Sequence, residues 1–161
     1  VKRQIIIVVS LILMVVVATI GILCLKPFNK DIWDINANNL RHAFQPISGD
    51  AVIDDLSQWT SFDWDTIYSF RPYTTKEGIY ITVGYNWDDI NETVNEGMNQ
   101  IVFMNKGKVV CYLYGYAENL GIGFNFGYHE GSHIKLTSKK PLRFKSTISK
   151  NEKVRYFEYI K

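Results

Sequence analysis

From Ile5 to Leu25 the chain runs for twenty-one residues without a charge, and only Ser10, Ala18, Thr19, Gly21 and Cys24 interrupt Ile, Leu, Val and Met. A helix of that length reaches about 30 Å, the thickness of a bilayer's hydrocarbon core. The pattern predicts a transmembrane helix with the lipid bilayer around residues 5–25. It is longer than the apolar region of a cleaved signal and ends in Lys26 and Pro27 without a small-x-small cleavage site, so an uncleaved anchor is expected. The rival outcomes are a buried helix of a soluble fold and lipidation of Cys24, the latter disfavoured by the bulky Ile22 and Leu23 before it.

Beyond Pro27, which ends the span because it lacks an amide hydrogen, the periodicity changes. Ile32, Trp33, Ile35, Leu40 and Phe44 alternate with Asn, Asp, Arg and His, the pattern of a short amphipathic helix between Asp31 and Phe44. Trp33 has two destinations, the lipid headgroups or the domain. Gln45 to Asp50 reads as a loop, and the folded core starts at Ala51 to Leu56. Between Phe62 and Thr74, Trp64, Thr66, Tyr68 and Phe70 share one parity, and Asp63, Asp65, Ile67 and Ser69 the other. That predicts a strand with one aromatic face, ended by Pro72.

Thr74, Thr75, Lys76 and Glu77 form a capping sequence for one or two helical turns. A polar stretch from Trp87 to Asn99 follows, expected as loop. Ile101 to Met104 and Val109 to Tyr114 are apolar on both faces and are separated by Asn105 to Lys108, which predicts a hairpin at the centre of a sheet. Further strands are expected at Ile122 to Phe126, His133 to Thr137, Leu142 to Ile148 and Val154 to Ile160. In the last two, Leu142, Phe144 and Ser146 oppose Arg143, Lys145 and Thr147, while Val154, Tyr156 and Glu158 oppose Arg155, Phe157 and Tyr159.

These elements predict an α+β chain: an N-terminal transmembrane helix, then a domain with a curved antiparallel sheet of six or seven strands and one or two short helices. The expected organisation is a cytoplasmic stub and anchor over 1–26, a juxtamembrane linker over 27–50 that can hold the short helix, and an extracytoplasmic domain over 51–161. About 135 residues follow the span, enough for one hydrophobic core without metal or disulfide staples. Ten Tyr, nine Phe and four Trp favour strands. Eighteen basic and sixteen acidic residues are scattered with a net charge of +2, which leaves no basic stripe and no expectation of nucleic acid. Lys2 and Arg3 precede the span and favour a cytoplasmic amino terminus, with the C-terminal part at the cell membrane's outer side. Past the anchor, Cys111 stands alone, so no disulfide forms within the domain.

The run Phe62, Asp63, Trp64, Asp65, Thr66, Ile67, Tyr68, Ser69, Phe70, Arg71, Pro72, Tyr73, Thr74 resembles one that recurs in small uncharacterised bacterial proteins, secreted, lipid-anchored or tethered by one span. The resemblance covers Asp55 to Tyr114 and departs at Gly78 to Gly84, where a more acidic and helical stretch is expected. It implies bacterial origin, an extracytoplasmic location, and a strand leading into a short helix followed by a hydrophobic hairpin. It implies no catalytic residue, because the group has no assigned activity.

Candidate chemistry is sparse. His129, Glu130 and His133 match the letters of His-Glu-x-x-His, whose zinc chemistry needs both imidazoles on one face of a helix. Gly127, Gly131 and Ser132 around them indicate a turn between strands, and no third ligand stands nearby. Asp63 and Asp65 share a strand side, as paired carboxylates do in some glycosidase and metal sites, although solvated carboxylates look the same in sequence. Gly121, Gly123 and Gly127 miss the dinucleotide fingerprint, and neither a serine-nucleophile motif nor a phosphate loop is present. No cofactor is implied.

Two functional classes follow. One is a membrane-anchored extracytoplasmic binding module, of an immunity or envelope-associated kind, that meets a protein or peptide at the cell surface through Trp64, Tyr68, Tyr73 and Trp87. The other is an envelope hydrolase or metal-dependent enzyme using Asp63, Asp65, His129, Glu130 and His133, with His129 and His133 as metal ligands. Convergence of those groups in one pocket would favour catalysis, and their separation would favour binding.

Overall fold

The computed structural model describes residues 12, 14–16 and 31–161, except 152. The expected span over 5–25 therefore lies outside the described residues apart from four positions, which are helical and exposed. Among the described residues no helix is long and apolar enough to cross a membrane. Residues 32–161 form one compact unit.

The unit contains helix α1 (Ile32–Ala43), β1 (Ala51–Ile53), a 3-10 turn (Leu56–Trp59), β2 (Thr66–Phe70), α2 (Lys76–Val83), β3 (Met98–Asn105) and β4 (Lys108–Tyr116). Helix α3 (Ala117–Leu120), β5 (Ile122–Asn125), β6 (His133–Thr137), β7 (Arg143–Ile148) and β8 (Arg155–Ile160) complete it. The α+β class holds. The single sheet of six or seven strands does not, because the strands divide into two four-stranded sheets, ordered β1-β7-β8-β5 and β4-β3-β2-β6. One pairing, β5 with β8, is parallel. Alternation along a strand reports which side chains share a face and says nothing about which strand lies alongside, so it cannot separate one sheet from two.

The two sheets bury their facing sides against each other. Ile53, Phe144, Phe157 and Ile122 from the first meet Ile67, Ile101, Phe103, Cys111 and Leu113 from the second. The far side of the second sheet is covered in turn: Phe70, Val102, Met104 and Tyr112 pack against Ile79 and Val83 of α2 and Ile90 of the following loop. This middle-layer position explains why the β3–β4 hairpin is apolar on both faces. The hairpin is not wholly central, however. β3 lies inside the sheet, while β4 is its edge and packs against α1.

Local chemistry sets the element ends. The hairpin turns through Lys106 and Gly107, with φ of 49° and 74°, the two positive angles of a tight two-residue loop. Asp65 Oδ2 accepts the Lys106 amide at 2.7 Å and fixes that turn to the start of β2. Thr75 caps α2 through its hydroxyl oxygen, which accepts from the Gly78 amide, and Gly84 ends the helix with φ of 90°. The β-branched residues of α2 are accommodated because Ile79 and Val83 are buried in the second core, and tertiary packing outweighs their weak propensity. Asp55 accepts from the Ser57 hydroxyl and amide and from the Leu142 amide, tying the 3-10 turn to the entry of β7. Burial pushes its carboxyl up, but these three hydrogen bonds outweigh burial and hold it below the ordinary value.

Candidate functional site

The strand β2 is the ruler on which the two candidate carboxylates and two candidate histidines can be placed. Its register with β6 sets Thr66 opposite Thr137 and Phe70 opposite His133. Asp63 and Asp65 precede the first of these pairs, and the histidine segment leads into the second. Four residue steps at about 3.3 Å separate the two ends by roughly 13 Å. The carboxylates and imidazoles do not converge.

Each end has its own local duty. Asp63 and Asp65 are both exposed, and Asp65 is engaged with the hairpin turn. His129 Nε2 donates to the Ser69 carbonyl at 3.1 Å, since a carbonyl oxygen can only accept. Residues 126–132 are loop, and His133 opens β6, so the helix that zinc-protease chemistry requires is not formed. The His133 ring meets Tyr68 at 5.5 Å and Phe70 at 5.8 Å between centroids. Glu130 is exposed. Desolvation lowers the pKa of both histidines, helped by the Arg71 and His133 charges at His129 and by Lys135 at His133. Among the described residues no three of His, Cys, Asp and Glu gather as a metal-holding group.

The four aromatic candidates have different fates. Trp64 is buried between the sheets, edge-on to Phe103, with its Nε1–H donating to Thr60 Oγ1. It does not share a face with Tyr68, because the strand begins only at Thr66 and the chain bends before it. Tyr68 is half-buried beside Phe70 on the opposite side of the sheet. Trp87 packs edge-on to Tyr112 at 5.1 Å and to Trp33 at 5.2 Å, which places Trp33 on the domain. Tyr73 alone of the four is open, at 62% exposure. Its φ of 67° is a left-handed conformation that costs a non-glycine residue energy, and its amide donates to the Thr93 carbonyl at 2.9 Å.

One feature of the fold was not singled out from sequence. A cavity of about 440 Å³ opens between the C-terminal end of α1, the α3–β5 junction and the β7–β8 turn. Arg155 lines it while being only 6% exposed. Its Nη1 donates to the Gly49 carbonyl at 2.8 Å and to Ser146 Oγ at 2.9 Å, and its Nη2 donates to the Ile47 carbonyl. Arg41, whose Nε donates to the Leu120 carbonyl, lines the same space with His42, Lys153 and Glu118. The sequence signal for this site was slight: Arg155 shares the inward parity of Phe157 in β8, where a charge is unusual.

Comparison of the chain with protein-family models, with curated proteins and with solved structures gives no match.

Proposed function

We propose that the chain is a non-catalytic binding module, tethered to the cell membrane by residues 5–25, whose body lies outside the cytoplasm and meets a protein or peptide there. The observation that carries the reading is the division of labour along β2. Asp63 and Asp65 stand at one end and His129 and His133 at the other, so the two pairs do not meet in one site, and among the described residues no three of His, Cys, Asp and Glu gather as a metal-holding group. That separation favours binding over a hydrolase that would use both pairs together.

Tyr73 supports a binding role more directly. An aromatic side chain open to solvent, on a backbone held in an uncommon conformation between Pro72 and Thr74, is rigid and amphipathic, the quality that makes tyrosine effective at interfaces. Trp64, Tyr68 and Trp87 serve packing, so the proposed contact rests on Tyr73 and not on the four aromatics together. Site-specific photocrosslinking in intact cells tests this. A photoreactive residue at position 73 is expected to give one discrete adduct, with none from a control at exposed Lys145. Equal or absent adducts at both positions would contradict it.

A further inference from the structure

We propose that the cavity lined by Arg155 is a binding site for a phosphate monoester group. This goes beyond the Tyr73 contact, shares no residue with it, and stands or falls separately.

The Arg155 side chain is buried, at 6% exposure. An arginine withdrawn from water needs either a carboxylate or several hydrogen bonds, because an isolated buried charge is costly. Among the described residues Arg155 has no carboxylate partner, and its three acceptors are two carbonyls and one hydroxyl, all neutral. They satisfy both Nη1 protons and one Nη2 proton. The remaining Nη2–H and the Nε–H have no partner among the described residues. No buried side-chain nitrogen or oxygen there lacks one, so Nε is not fully buried, and Arg155 is among the residues lining the cavity. Nε–H and an Nη2–H are the pair with which an arginine can take two oxygens of a tetrahedral or planar oxyanion side-on, and that is the contact proposed here.

Charge narrows the ligand. Among the described residues Arg41, Lys153 and Arg155 line the cavity against Glu118, a surplus of two positive charges before His42 is counted. A phosphate monoester carries about −1.5 to −2 near neutral pH and fits that surplus, whereas a carboxylate brings only one charge. The volume, about 440 Å³, holds a phosphate with room for what it is attached to. The Arg41 guanidinium is braced on the Leu120 carbonyl and Arg155 on the 47–49 loop, so both cations are positioned before any ligand arrives.

The test uses the full chain in uncharged detergent micelles, with the unfolding midpoint followed against inorganic phosphate at ionic strength held constant with chloride. A saturable rise in midpoint is expected, as for any ligand that binds the folded state only. Lys153→Glu, at an exposed position, is expected to weaken the apparent affinity about tenfold. Arg155→Lys keeps the charge but removes the fork and is expected to abolish saturation; if it fails to fold, the Lys153→Glu response alone decides the matter. A parallel arm with micelles containing phosphatidate distinguishes the source. A response to free phosphate identifies a soluble monoester, and a response to phosphatidate alone identifies a lipid headgroup. No response in either arm beyond that of chloride, or an undiminished response in Lys153→Glu, would overturn the proposal.

Discussion

The Asn36 side-chain amide of α1 donates to the Val110 carbonyl of β4 at 2.8 Å, across seventy-four positions of sequence. The β3–β4 register jumps from Phe103 opposite Cys111 to Met104 opposite Val109, which leaves Val110 opposite no residue. A bulge of this kind frees a backbone group that must find another partner if it is buried. Asn36, itself buried, supplies it and anchors the helix along the sheet's edge. Replacing Asn36 with Ala or Leu is expected to cost about 1–3 kcal/mol, the penalty of a stranded carbonyl. Denaturant unfolding of the full chain in micelles measures it, and a neutral Leu variant would show that packing alone holds the helix.

Gly123 of β5 is required for a different reason. A Cβ there would stand 3.0 Å from the Ala117 Cβ and 2.9 Å from Tyr156 Cδ1. The exposed tyrosine can swing aside, but the Ala117 Cβ is fixed to the backbone of α3. Gly123→Ala is expected to destabilise by about 1–3 kcal/mol, as overpacking does. Combining it with Ala117→Gly should recover part of that loss in a double-mutant cycle. Additive losses would mean that the two positions do not press on each other.

Acidification should loosen the loop before β6. His129 and His133 have folded-state values below the usual 6.5, from desolvation first and then from neighbouring positive charge. Between the folded and unfolded values the unfolded chain binds more protons, so stability rises with pH there, is fully present above 6.5, and is lost as pH falls below 6.5 through the lower folded-state values. The double variant His129→Gln/His133→Gln should lose less stability than the wild type between pH 7.5 and 5.5. An identical loss in both would assign the acid sensitivity to other groups.

Tyr73 separates stability from recognition. Tyr73→Gly relieves a left-handed conformation and is expected to leave folding unchanged or improve it by up to about 1 kcal/mol. The same change should abolish the partner contact proposed for the exposed ring. A stability loss would instead place the tyrosine among the groups that hold the fold.

Much of this architecture was visible as local pattern. Thr75 announced a cap, Asn105 to Lys108 a turn, and Leu142, Phe144 and Ser146 a shared face, which is the buried one. What the pattern could not carry was anything fixed by distant pairing. The division into two sheets, the parallel neighbour of β8 and the burial of Trp64 away from Tyr68 all depend on which strands meet. The candidate chemistry failed for the same reason. Asp65 and His133 look like potential partners in sequence, and only the β2–β6 register sets them at opposite ends. Arg155 ran the other way: an inward charge in β8 meant little until the 47–49 loop and α1 closed over it.

The tether and its orientation are tested most directly by adding protease to intact, wall-stripped cells that express the full chain, after confirming that carbonate washing leaves it in the membrane. The body beyond Asp31 is expected to be degraded while the membrane-embedded segment survives. A body that resists until the cells are lysed, or a chain released by carbonate, would contradict it.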